Sequence, residues 1–168
     1  MNGHGEWYLM AKWKFQGLDE YIAQLEKLTN DREYIGPTIY EGAAVVADEM
    51  KKEINNLPVE MEYAPAGGKK RGITSVQKAG LQSGFGITKM KNDDGFYNVK
   101  LGFNGYNGQK TKKYPNGQPN SVIARSLVSG TSFRKKNDFV GRATRSKKTQ
   151  AEMVMQKKLD DEIRKRVK

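Results

Sequence analysis

The 168-residue chain contains no cysteine, which excludes structural disulfides, thiolate metal sites and a cysteine nucleophile together. Histidine is nearly as scarce, with His4 the single example. A Ser-His-Asp triad or a histidine metal site therefore has almost nothing to be built from. No run of about 18 apolar residues occurs, and the first ten residues lack the basic start and apolar stretch of a secretory signal. The expectation is a protein made and assembled in a cytoplasm, with no membrane association. Acidic residues are in deficit: 19 Asp or Glu stand against 30 Lys or Arg, leaving a net charge of +11. The acids that exist lie mainly on helix faces, and no convergent pair suited to general acid–base work can be named. Composition thus points away from an enzyme, with no cofactor, metal or small-molecule substrate expected.

What is present falls into four zones without an internal repeat. Trp7, Leu9, Ala11, Trp13 and Phe15 alternate with Tyr8, Met10, Lys12 and Lys14, a period of two that predicts a half-buried strand. Gln16 and Gly17 break it. Leu18, Tyr21, Ile22, Leu25 and Leu28 then fall at helical spacing, with Asp19 and Glu20 in the first turn, where acidic side chains favour the helix dipole. Residues 30–37 read as a connector. A second helix follows with Ile39, Ala43, Val46, Ala47, Met50 and Ile54 on one side, ending at Leu57 and Pro58 because proline cannot continue the ladder.

The third zone, residues 64–117, holds eleven of the eighteen glycines, which marks it as rich in turns and loops. Phe85 and Ile87 alternate, Asn92, Asp93, Asp94 and Gly95 supply turn chemistry, and Tyr97, Val99, Leu101 and Phe103 alternate again. This predicts an antiparallel hairpin pairing residues 85–90 with 96–103. Glycine- and lysine-rich segments flank it near 64–73 and 104–120, and both read as mobile loops. The first has a phosphate-loop flavour, but it lacks the Gly-Lys-Ser/Thr ending and follows no clear strand. Trp7, Trp13, Tyr97 and Phe103, at strand spacing, read as core. Tyr106 and Tyr114, set among Gly, Asn and Lys, read as partner contacts together with Lys110, Lys112 and Lys113.

In the last zone a helix is expected from Asn120, carrying Val122, Ile123, Leu127 and Val128 and stopped at Ser129, Gly130 and Thr131. A long basic helix is expected over residues 149–167, with Ala151, Met155, Leu159, Ile163 and Val167 four apart. Asp160 with Arg164, Asp161 with Lys165 and Glu162 with Arg166 form i,i+4 pairs of the favourable order. Residues 134–168 contain thirteen Lys or Arg and five Asp or Glu, so most of the surplus charge sits here. Such a helix binds phosphate backbones, acidic protein surfaces or simply water. The expected fold class is α+β: a small antiparallel sheet packed on two amphipathic helices, with long loops, in one domain over residues 1–148, followed by a C-terminal basic helix over 149–168.

The order Gly17, Leu18, Asp19, Glu20, Tyr21 at a helix start, a helix ending at Leu57 and Pro58, then Ala79, Gly80, Leu81, Gln82 and Ser83 before a hairpin resembles the head-tail joining (neck and tail-completion) family of tailed bacteriophages. The C-terminal half carries more of the likeness. Its segments are Gly102, Phe103, Asn104, Gly105, Tyr106, Asn107; then Gln118, Pro119, Asn120; then Ile123, Ala124, Arg125, Ser126; then Ser129, Gly130, Thr131, Ser132; and Phe139, Val140. The family places a Glu-x-Gly-Thr segment before Pro-Phe-Leu/Ile-x-Pro-Ala and a closing helix. This chain has Val128, Asp138 and Arg142 where that pattern has its glutamate and two prolines, so a role for the glutamate is not carried over.

The resemblance implies a structural virion protein in the phage neck, a homo-oligomeric ring with six-fold symmetry that completes the tail or joins it to the head. Its partners would be copies of itself and neighbouring neck, connector or tail-tube proteins, with DNA in the lumen. Gly80, Leu81, Gly130, Thr131 and Phe139 would be turn and anchor residues, Thr131 capping or bonding the turning backbone. The loop at 104–120 and the terminal helix would dock on adjacent subunits. The alternative is a basic nucleic-acid-binding module acting through Lys110, Lys112, Lys113, Lys147, Lys148, Arg164, Lys165 and Arg166.

Overall fold

Alternating apolar residues between positions 85 and 103 build a sheet, and helical-period stripes before and after it build the helices that cover it. A computed structural model describes residues 9–11, 32–60 and 68–166. Its strands are β1 (Leu9–Ala11), β2 (Phe85–Ile87), β3 (Lys91–Asp93), β4 (Phe96–Asn98) and β5 (Leu101–Phe103). Its helices are α1 (Arg32–Asn55), α2 (Ser75–Gly84), α3 (Asn120–Ser129) and α4 (Phe139–Arg166). The fold is α+β with two small antiparallel sheets. The helix expected over 18–28, Trp7, Trp13 and His4 lie outside the described residues.

The hairpin forms, but in two pieces. Phe85 to Ile87 pairs with Phe103 to Leu101, and Lys91 to Asp93 pairs with Asn98 to Phe96. Three residues on the first arm oppose two on the second between these ladders, a bulge that bends the hairpin. Thr88 spans the bend: its N–H donates to the Lys100 carbonyl at 2.8 Å and its hydroxyl accepts from the Lys100 N–H at 2.9 Å. Asp94 and Gly95 both have positive φ, 55° and 90°, the conformation a two-residue hairpin turn requires. β1 adds to the free edge of β5, giving the order β1-β5-β2.

Two helix boundaries differ from the expectation. α1 starts at Arg32 and runs through Pro37, so the supposed connector is largely helix. Pro37, the sixth residue of α1, forgoes one backbone bond inside the helix, a cost offset by the buried face that follows it. α4 starts at Phe139 and runs unbroken for 28 residues, so the boundary at 149 falls inside a helix. α2 was not foreseen as a helix. Thr74 and Gln77 form its capping box, each side chain bonded to the other's backbone N–H at 3.2 Å.

The core joins α1 (Met50, Ile54), α2 (Leu81), β5 (Phe103), α3 (Ile123, Ala124, Leu127) and the start of α4 (Phe139, Val140, Ala143). Phe103 lies at its centre, 5.3 Å from the Phe85 ring and 6.1 Å from that of Phe139. Fully burying each of these large side chains contributes about 1.5–3 kcal/mol. A second cluster unites Val46 and Ala47 of α1, Leu101 and Ala151 of α4. The long helices lie antiparallel: Arg142 pairs with Glu53, Lys147 with Glu49 and Lys158 with Glu41.

Candidate interaction surface

The most ordered arrangement of polar residues lies where α2 meets the loop between β5 and α3. One face of α2 presents Thr74, Gln77, Gly80 and Gly84, and the loop is laid along it. The Thr74 hydroxyl donates to Gln109 Oε1 at 3.4 Å and Gln77 Nε2 to Gln118 Oε1 at 2.7 Å. Gly80 abuts Asn107 and Asn120, and Gly84 abuts the Asn104 carbonyl and the Asn120 amide. Asn120, 1% exposed, ties the ends of the loop together. Its Nδ2 donates to the Asn104 carbonyl at 2.8 Å, its N–H to the Gly105 carbonyl at 3.0 Å, and its Oδ1 accepts from Asn107 Nδ2 at 3.4 Å. Buried amides keep this order only when satisfied, so the arrangement specifies one loop conformation.

The loop also carries backbone bonds of its own. Asn107 N–H donates to the Gln118 carbonyl and Gln118 N–H to the Gln109 carbonyl, while Thr111 and Tyr114 exchange backbone bonds at 3.1 and 3.0 Å. The loop is a small hairpin with Lys112 and Lys113 at its tip. Lys113 lies 5.6 Å from the half-buried Tyr114 ring, so Tyr114 supports the tip more than it faces outward. Tyr106 does face outward, 70% exposed beside its bridge to Pro119. Residues 104–120 contain no acid, and among the described residues Lys110, Lys112 and Lys113 have no carboxylate within ion-pair distance.

Of the glycine- and lysine-rich segment at 64–73, residues 64–67 lie outside the described residues, and residues 68–73 are bonded to neighbouring segments. Lys70 N–H donates to the Phe133 carbonyl and Lys135 N–H to the Lys70 carbonyl, while Ile73 N–H donates to Pro58.

The expected anchor residues occupy distinct places. Leu81 and Phe139 are fully buried in the core. Gly130, at φ 72°, ends α3, a conformation that favours glycine. Thr131 bonds across the turn through its backbone, exchanging bonds with Arg134, while its hydroxyl has no partner among the described residues.

In the terminal helix Ala151, Met155 and Leu159 are buried, and Met155 fits against Gly42 of α1, so one face of this helix is packed on its own chain. Much of its positive charge is also answered within the chain. Lys147 lies 3.9 Å from Glu49, Lys148 3.9 Å from Glu152, and Lys165 3.0 Å from Glu162. Glu162 therefore titrates below the usual glutamate range, chiefly through the hydrogen bond from Lys165, with added attraction from Lys165 and Lys158. Lys147 and Arg164, seventeen residues apart on one helix, are separated by about 25 Å. They do not make one patch, and the Arg166 side chain lies outside the described residues.

Sequence reading missed Gln77, Asn107, Asn120 and Arg134. The Thr-x-x-Gln spacing at 74–77 was the available signal for the first; the others depend on contacts between distant segments. Among the described residues no three His, Asp or Glu could together hold a metal ion, and no helix is long and apolar enough to cross a membrane. No family model matches the chain, and no curated protein or solved structure does so either.

Proposed function

We propose that this protein is a structural part of the neck of a tailed bacteriophage, forming a ring at the head-tail junction that completes the tail or joins it to the head. The carrying observation is that the dispersed segments behind the family resemblance meet in space. Gly80 packs on Asn107 and Asn120, and Phe103 packs on Phe139. Together they hold up one outward-facing basic hairpin bearing Tyr106, Lys110, Lys112 and Lys113. An exposed tyrosine on a backbone held by hydrogen bonds, beside lysines with no carboxylate partner among the described residues, suits a protein interface. The contact would join copies of this chain or acidic surfaces of neighbouring neck, connector or tail-tube proteins, during assembly in the bacterial cytoplasm. Ring closure follows if the contact is heterologous and its rotation closes; the resemblance implies six copies.

Size-exclusion chromatography with light scattering, repeated across salt concentrations and with duplex DNA, tests this reading. The expected result is one closed oligomer of fixed mass, unaffected by DNA. A monomer that binds duplex with steep salt dependence would instead support a nucleic-acid-binding module.

A further inference from the structure

The turn after α3 encloses a second feature that the neck reading does not use. Lys69, Ser129, Gly130, Thr131, Arg134, Lys135 and Lys136 line an open pocket of about 450 Å³. Four of these carry positive charge and none is acidic. Lys69, Lys135 and Lys136 are exposed, and among the described residues no carboxylate lies within ion-pair distance of them. The pocket walls are held by the backbone bonds from Lys70 to Phe133 and from Lys135 to Lys70, at 2.9 and 2.8 Å.

Arg134 makes the site more than a cluster of surface lysines. It is 5% exposed, yet its bonding partners are neutral: Nη1 donates to Ser126 Oγ at 2.7 Å and Nη2 to Gln77 Oε1 at 3.3 Å. Nε, like the Thr131 hydroxyl, is buried without a partner among the described residues. Burial pulls the guanidinium pKa down, opposed by the charge of Glu60, which lies beyond ion-pair distance. A buried cation whose hydrogen-bond partners are all neutral carries a desolvation cost of several kcal/mol that a bound anion would help to offset. The C-terminal end of α3 supplies about half a negative charge and Glu60 a whole one from beyond ion-pair distance, against four positive side chains. The pocket lining thus retains a net positive charge.

We propose that this pocket binds a phosphate group, with Arg134 providing buried charge and Lys69, Lys135 and Lys136 the rim. The group is either free phosphate or a phosphodiester of nucleic acid, and the assay separates the two sources. The site stands or falls independently of the neck reading.

The test uses the full chain and two probes: inorganic phosphate, with chloride at equal ionic strength as reference, and a fluorescein-labelled single-stranded oligonucleotide. Phosphate is expected to raise the melting midpoint saturably by roughly 4 °C beyond chloride, or the oligonucleotide to bind and be displaced by phosphate. The K69E/K135E/K136E variant should weaken whichever probe binds by about tenfold or more, and K89E/K91E, at exposed lysines outside both surfaces, should leave it unchanged. R134Q should abolish the effect where it folds; the rim variant, altering exposed residues alone, decides if it does not. Stabilisation by phosphate without oligonucleotide binding assigns a free-anion site, and displaceable oligonucleotide assigns a phosphodiester site. No excess of phosphate over chloride together with no rim-dependent oligonucleotide binding overturns the proposal, as does equal loss in the two charge variants.

Discussion

At Gly80 a single methyl group is too much: a Cβ there would overlap Asn107 and come within 2.5 Å of Asn120 Oδ1. Gly80→Ala must displace the asparagines that close the loop, at a cost of about 1–3 kcal/mol. Gly86 has open space around the same position, so Gly86→Ala should leave stability nearly unchanged. Thermal melting of the two variants checks the contrast; equal midpoints would remove the loop's support. Glu162 offers a pH test. Its carboxyl is held below the usual range by the hydrogen bond from Lys165, so its contribution is complete above that range and is lost as pH falls through the depressed value. Glu162→Gln should be less stable than the parent near neutrality, and the two melting curves should converge in acid.

Among the elements, α1 gives the sharpest test through Pro37. In a connector, proline limits the unfolded chain, and replacing it would cost about 0.4–1 kcal/mol. Inside a helix the replacement restores a backbone donor and removes a ring clash worth about 3 kcal/mol, so after the unfolded-state term Pro37→Ala should stabilise by roughly 2 kcal/mol. Denaturant unfolding gives the sign directly. The same residue explains why the N-terminal boundary was misread: proline is a breaker in sequence, yet the buried face that follows it offsets its cost. The hairpin, α3 and the outline of α1 were legible because their signals are local, namely alternation, Asp94 and Gly95 in the turn, Gly130 at a helix end. The early start of α4 was hidden because Gly141, Arg142 and Thr144 form no apolar stripe; Phe139 and Ala143 are buried by α3 and α1, which only the tertiary fold supplies. The loop at 104–120 reads as mobile from its glycine and lysine content. Its order comes from Asn107, Gln118 and Asn120 meeting α2, a pairing of segments far apart in the chain.

For the whole molecule, the charge of +11 is less uniform in effect than in sequence. Glu41, Glu49 and Glu53 of α1 answer part of α4, each exposed pair contributing no more than about 1 kcal/mol. Among the described residues, charge without a carboxylate partner includes Lys112 and Lys113 at the hairpin tip and Lys69, Lys135 and Lys136 at the rim of the Arg134 pocket. If the tip is the contact between neighbours, Tyr106→Ala combined with Lys112→Glu and Lys113→Glu should weaken association by about tenfold or more. The monomer's melting point should stay unchanged, since these side chains are exposed. Sedimentation velocity over a concentration series measures the first and calorimetry the second.

The most direct measurement is electron microscopy of lysates from cells infected with a phage carrying a nonsense codon in the gene for this chain. Filled heads and separate tails should accumulate, and the wild-type chain supplied in trans should restore joined particles, whereas the Tyr106, Lys112 and Lys113 triple variant should not. Normal numbers of joined, infectious particles without the chain would contradict its assignment to the neck.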